Sequence, residues 1–303
     1  MVAICLLAPS VAAASEPEYT RAPGSPLLTP TINGGGGLAF SPSGGLLARG
    51  TAMFSVGASG TLTPVGGPAP DPSASSVAFS PSGTLLAAAN QTSDSVSMFS
   101  VGPSGALTSV SGSPFTLGAQ PGSVIFSPSG ELLEVTAGES LYIFSVSASG
   151  ALTQAAGSPH SVKGPGHVAF SPSGGLLAVL GSAGVSMFSV SASGALAEVP
   201  GSPFDASGAP EGNAVYGNAV FSDGGNVLRV AEWLGSASDV VTTYSVASSG
   251  VLTAIGRWHG LGCPYARLVQ LGRKHGRHDC IRRVGCVSEL HRPVRCGQQS
   301  PVA

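Results

Sequence analysis

Between residues 160 and 167 the chain gathers side chains able to do chemistry near neutral pH. His160, Lys163 and His167 fall in the run Pro159-His160-Ser161-Val162-Lys163-Gly164-Pro165-Gly166-His167. They are the two histidines, and one of the four Lys or Arg residues, of the first 256 positions. An imidazole titrates close to neutrality and can serve as a general base, which makes His167 the candidate catalytic residue. An ammonium group is a handle for a phosphate or carboxylate, so Lys163, with His160, is read as substrate-binding. Glu232, in Ala231-Glu232-Trp233, adds a carboxylate to the same set. The plainer reading of all four is as solvated loop groups or satisfied hydrogen-bond partners. No Gly-x-Ser-x-Gly elbow occurs, and Gly34-Gly35-Gly36-Gly37 is not followed by the Gly-Lys-Ser/Thr of a phosphate loop. No cofactor or metal is expected.

These residues must be positioned by a repeat. Phe-Ser-Pro-Ser-Gly starts at Phe40, Phe79, Phe126 and Phe170, with Phe-Ser-Asp-Gly-Gly at Phe221. Phe-Ser-Val follows at Phe54, Phe99, Phe144 and Phe188, with Tyr-Ser-Val at Tyr244. Ser-Gly-x-Leu-Thr ends at Thr63, Thr108, Thr153 and Thr253, and Ala197 ends its fourth copy. Gly-Ser-Pro comes next at Gly112, Gly157 and Gly201. All 11 Phe belong to these motifs, which marks them as a core pattern. Ser95 to Val101 alternates polar and apolar with period two, the mark of a half-buried strand. Val77–Phe79, Leu85–Ala89 and Ala106–Val110 are further short strands, separated by Pro-Ser-Gly turns. Four strands per unit of about 45 residues make the blade of a β-propeller. The expected fold is therefore all-β, with five recognisable blades over residues 24–256. One blade cannot stand alone, because burying two Phe yields roughly 3–6 kcal/mol. Ordering its backbone costs on the order of 45–90 kcal/mol, so blades must stack.

The blade text, with Ser-Val-Ser-x-Phe-Ser-Val, Ser-Gly-Ala-Leu-Thr and Gly-Ser-Pro-Phe, resembles the bacterial lactonase family of seven-bladed propellers. That family includes the propeller-type 6-phosphogluconolactonases. Gly164-Pro165-Gly166-His167-Val168-Ala169-Phe170 is similar to a family element that carries Arg at the place of Gly166, and Leu180-Gly181 stands where the family has Asn-Glu. The resemblance implies opening of a sugar lactone, which needs an activated water, an oxyanion donor and a substrate handle. The alternative is a secreted, non-catalytic propeller that binds a ligand or a protein, or a degenerate copy. Four Lys or Arg in 256 residues supply a phosphosugar site poorly. The expected partner is a small-molecule lactone or a protein ligand. A monomer is expected, with no specific nucleic-acid binding and no transmembrane segment.

The two ends differ from the body. Residues 1–14, MVAICLLAPSVAAA, resemble a signal peptide without a basic start, which would place the product outside the cytoplasm or in the periplasm; otherwise it is cytoplasmic. Residues 1–256 carry thirteen Asp and Glu against four Lys and Arg, whereas residues 257–303 carry nine Lys and Arg against two acids. Cys263, Cys280, Cys286 and Cys296 lie in that last stretch, which has no blade motif. A shifted reading frame, a disulfide-linked extension, a zinc site and a polyanion-binding or disordered tail are the readings open for it.

Overall fold

Each repeat begins by closing a turn on itself. In the motif Phe-Ser-Pro-Ser-Gly the first serine is buried, and its Oγ accepts the backbone N–H five residues on. Leu46 donates to Ser41, Leu85 to Ser80, Leu132 to Ser127 and Leu176 to Ser171, all at 3.0–3.1 Å. The motif glycine takes the left-handed conformation the turn requires (φ 74° at Gly83), which a side chain would strain. The turn hands the chain from an inner strand to a second strand rich in Leu and Ala.

The computed structural model describes residues 37–66, 74–204, 216–233 and 239–260. For residues 216, 232, 233, 239 and 258–260 only the backbone is considered. The first blade holds β1 (Leu38–Phe40), β2 (Leu46–Arg49), β3 (Ala52–Val56) and β4 (Leu62–Val65). The second holds β5 (Ser76–Phe79), β6 (Leu85–Asn90), β7 (Ser95–Val101), β8 (Leu107–Ser109) and the short β9 (Phe115–Thr116). The third holds β10 (Pro121–Phe126), β11 (Leu132–Ala137), β12 (Ser140–Val146), β13 (Leu152–Gln154) and β14 (His160–Ser161). The fourth holds β15 (Val168–Phe170), β16 (Leu176–Gly181), β17 (Gly184–Val190) and β18 (Leu196–Glu198). The fifth holds β19 (Tyr216–Ser222), β20 (Val227–Trp233), β21 (Asp239–Val246) and β22 (Leu252–Gly260). The first four strands of every blade form an antiparallel meander, and β9 and β14 pair back onto the third strands β7 and β12.

The first strands of successive blades contact one another, β1 with β5, β5 with β10, β10 with β15, and β15 with β19. They therefore lie innermost, and the blades fan outward from them as an open β-propeller. Four apolar clusters fill the four seams. Ala48, Met53, Val77, Leu86 and Phe99 close the first seam, and Ala87, Met98, Leu133, Val135 and Phe144 close the second. Leu132, Ile143, Leu177, Val179 and Phe188 close the third, and Ala178, Met187, Phe221, Leu228 and Tyr244 the fourth. Phe79, Phe126, Phe170 and Phe221 each pack back onto the preceding blade. No described blade precedes Phe40, and it is 62% exposed.

Two further motifs acquire a role. The serine of Gly-Ser-Pro accepts a third-strand amide: Met98 donates to Ser113, Ile143 to Ser158 and Met187 to Ser202, each at 2.9 Å. The residue after the proline then pairs with that same third strand, as Phe115 does with Val96 and His160 with Leu141. The glycine of Ser-Gly-x-Leu-Thr presses into the preceding blade. A Cβ on Gly150 would stand 2.8 Å from Leu85, and one on Gly194 2.8 Å from Ile143.

In the fifth blade β22 runs to Gly260, pairing Arg257 with Thr242, so regular structure continues four residues into the basic stretch. The signal-like segment, the four downstream cysteines and most of the basic stretch lie outside the described residues. Among the described residues no helix is long and apolar enough to cross a membrane.

Candidate functional site

The same inner-strand position, three residues before the motif Phe, is Gly37, Ser76, Ser123, His167 and Asn218 in blades one to five. In the second and fourth blades its side chain reaches the next blade, whereas Ser123 Oγ bonds Thr136 of its own blade at 2.9 Å. Ser76 Oγ accepts the backbone N–H of Val124 on β10 at 3.3 Å. His167 Nδ1 accepts the backbone N–H of Ala219 on β19, also at 3.3 Å. Val124 and Ala219 are themselves equivalent, two residues before Phe126 and Phe221. An innermost strand has one edge without a strand partner. These side chains satisfy an amide on that edge which would otherwise be orphaned.

The backbone that carries the imidazole is held by the adjacent strand of its own blade. Leu180 N–H donates to the His167 carbonyl at 2.8 Å, and Gly166 N–H to the Leu180 carbonyl at 2.7 Å, extending the β15–β16 ladder. Burial lowers the His167 pKa below its ordinary value, by disfavouring the charged ring. The ring is thus neutral at pH 7. With Nδ1 accepting a hydrogen bond, its proton resides on Nε2. His167 presents a donor to anything that approaches Nε2, and it can take a proton at Nδ1 only by releasing Ala219.

The other three residues are placed differently. His160 lies in β14, paired to the third strand of its blade. Its ring is 6.3 Å from that of Phe188, tilted 53°. It stands where Phe115 and Phe204 stand after their own Gly-Ser-Pro, packed in the outer half of a seam, and the fold does not bring it to His167. Lys163 is exposed on the loop entering the fourth blade. Its carbonyl accepts from Ser182 N–H and Oγ, both at 3.3 Å, which fastens the loop across the β16–β17 hairpin. Gly181 lets that carbonyl approach, since a Cβ there would meet it at 2.6 Å. Glu232 pairs with Gly217 in β20, two positions along from the Ala219–Val230 pair. The backbones of His167 and Glu232 therefore share one end of the fourth and fifth blades.

Sequence reading missed Asn218. It occupies in the fifth blade the position that His167 holds in the fourth, in the collar these residues form on the inner strands, and its buried Oδ1 finds no partner among the described residues. The alignment of motif phenylalanines was the available signal. At the opposite, Phe-Ser-Pro end of the inner strands is a cavity of about 410 Å³, lined by Phe79, Phe126, Phe170, Phe221 and the prolines Pro81 and Pro128 among others. No titratable side chain lines it. No cluster of three His, Cys, Asp or Glu able to hold a metal occurs among the described residues.

With this geometry in place the molecule can be compared with solved structures. The fold is that of known lactonase-type propellers. A periplasmic gluconolactonase from Pseudomonas aeruginosa superposes with a TM-score of 0.60 at 20% identity, covering 74% of this chain and 72% of that one. A candidate 6-phosphogluconolactonase from Bacteroides fragilis gives 0.58 at 21% identity, covering 74% and 70%. A protein from Lactobacillus plantarum gives 0.57 at 18% identity, covering 73% and 69%. At such identities the likeness is one of fold. No family model matches the sequence, and no curated protein matches it.

Proposed function

We propose that this propeller hydrolyses an uncharged sugar lactone at the His167 end of its inner strands. The reading rests on one observation: a neutral imidazole, fixed through Nδ1, that offers Nε2–H beside the innermost strands. A donor placed there stabilises the oxyanion that forms when water adds to the lactone carbonyl. The ring C–O bond then breaks and a hydroxy acid leaves. This assigns His167 the part of electrophile in place of the general base expected from sequence. Glu232 and Lys163 remain candidate substrate contacts. The likeness in fold to a gluconolactonase supports the substrate class. The scarcity of cations favours a neutral lactone over a phosphorylated one, because Arg49, Lys163, Arg229 and Arg257 are the only Lys or Arg among the described residues.

The test is hydrolysis of an aldonolactone and its 6-phospho derivative by the full chain and by His167→Ala. Loss of an oxyanion donor is expected to cut turnover of the neutral lactone on the order of 100-fold. Unchanged turnover in the variant overturns the assignment of His167, and absence of any hydrolysis overturns the lactonase reading. One observation favours a second reading, that of a binding scaffold without catalysis. Ser76 makes the same inter-blade hydrogen bond as His167, so that contact alone is accounted for by the fold.

A further inference from the structure

Glu134 is a carboxyl group in a place the other blades keep small. Eight residues after the motif Phe stand Ala48, Ala87, Glu134, Ala178 and, in the last blade, Arg229. Each of those alanines is fully buried against the following blade, in the first, second and fourth seams respectively. Glu134 is directed into the third seam. It shares a face of β11 with Leu132, two residues before it, and is the register partner of Ile125 and Ile143, and Leu132 and Ile143 pack there with Leu177 and Val179. It is 0% exposed, and neither carboxylate oxygen has a hydrogen-bond partner among the described residues.

The elements around it supply no counter-charge. β10 and β12 present Ile125 and Ile143, and Tyr142 packs into the second seam instead. β15 and β16 present Val168, Leu177 and Val179, and β17 presents Phe188. His160 enters the same seam further out, against Phe188. Glu198, paired to Phe188, is exposed at the outer rim, and Glu139 and Lys163 lie exposed on loops. A carboxylate without cation or donor is far costlier to bury than a carboxylic acid.

We propose that the seam between the third and fourth blades is a pH-operated joint, closed while Glu134 carries its proton and loosened when it ionises. The far side of the joint is β15 and β16, the strands that carry and brace His167. Opening it is therefore a means of regulating whatever that end of the propeller does, and the joint itself does not depend on the lactonase reading. Burial raises the Glu134 pKa well above its ordinary value. The folded chain thus holds a proton that the unfolded chain has released. Below about pH 4.5, the ordinary value, both states are protonated and nothing is lost. Above it, stability falls as pH rises, until Glu134 ionises in the fold as well.

The experiment measures folding of the full chain by denaturant against pH, with Glu134→Gln and Glu134→Ala beside it. Within the window the wild-type folding constant is expected to fall up to tenfold per pH unit through this group. Both variants are expected to lose that slope. Amide exchange in the wild type, corrected for its intrinsic pH dependence, is expected to quicken in β11, β15 and β16 relative to β6 as pH rises. That reading needs no variant to fold. An equal slope in wild type and Glu134→Gln overturns the proposal. So does exchange that quickens equally in the second and third seams. Loss of hydrolysis in His167→Ala leaves the joint standing, and an absent slope leaves the lactonase reading standing.

Discussion

Phe40 and Phe221 occupy the same place in the first and fifth blades, yet one is 62% exposed and the other 6%. Gly60 and Gly150 likewise share one motif and one conformation, with φ of 77° and 84°. Gly150 abuts Leu85 and Val110 of the blade before it, whereas no described blade precedes Gly60. The comparison teaches what the motifs are for. They belong less to the blade that carries them than to the seam behind it, and where no described blade stands behind, the same residues make fewer of these contacts.

Substitutions can break this reading, the largest effect first. Phe221→Ala is expected to cost about 3–5 kcal/mol, since it empties a packed seam. Phe40→Ala is expected to stay within about 0.5 kcal/mol. Denaturant titration of the two variants decides it, and similar losses would show that Phe40 is covered in solution. Gly150→Ala combines backbone strain with overpacking and is expected to cost about 3 kcal/mol. Gly60→Ala is expected to cost about 1 kcal/mol, from its backbone alone. Thermal melts of the pair sharpen the contrast, and it fails if they shift together.

The collar gives a third, smaller test. His167→Leu orphans the Ala219 amide and is expected to cost about 1–3 kcal/mol. His167→Ser copies Ser76 and is expected to lose under about 1 kcal/mol of stability while cutting lactone turnover on the order of 100-fold. If both variants are equally stable, the inter-blade bond contributes nothing. The smallest effect is a pH dependence of opposite sign to that of Glu134. The folded pKa of His167 lies below its ordinary 6.5. Its unfolded form therefore takes up a proton first, and stability is lost as pH falls from about 6.5 toward the folded value. A stability profile that declines on the acid side in wild type, and less so in His167→Ser, is the expected result.

The blades were legible because their signals are local. Ser95–Val101 alternates with period two and forms β7 over the same residues. Each Pro-Ser-Gly turn is closed by a serine only five residues away from its partner amide. The site is less legible because proximity in sequence is not proximity in space. His160 follows Gly157-Ser158-Pro159 as Phe115 follows Gly112-Ser113-Pro114, and that spacing, more than nearness to His167, fixed its place. Asn218 and Glu134 escaped because their meaning lies in what faces them across a seam. Only superposing the repeats, Ala87 on Glu134 and Ser76 on His167, shows that an expected residue has been exchanged.

The glycine that presses backward has a consequence for synthesis. Gly105 meets Leu46 and Val65, Gly150 meets Leu85 and Val110, Gly194 meets Leu132 and Ile143, and Gly250 meets Leu176 and Val199. In every case the receiving side chains come earlier in the chain. A blade leaving the ribosome thus docks onto a surface already translated and need not wait for sequence still to come. The propeller can grow in the order it is read, each blade serving as the template on which the next one sets.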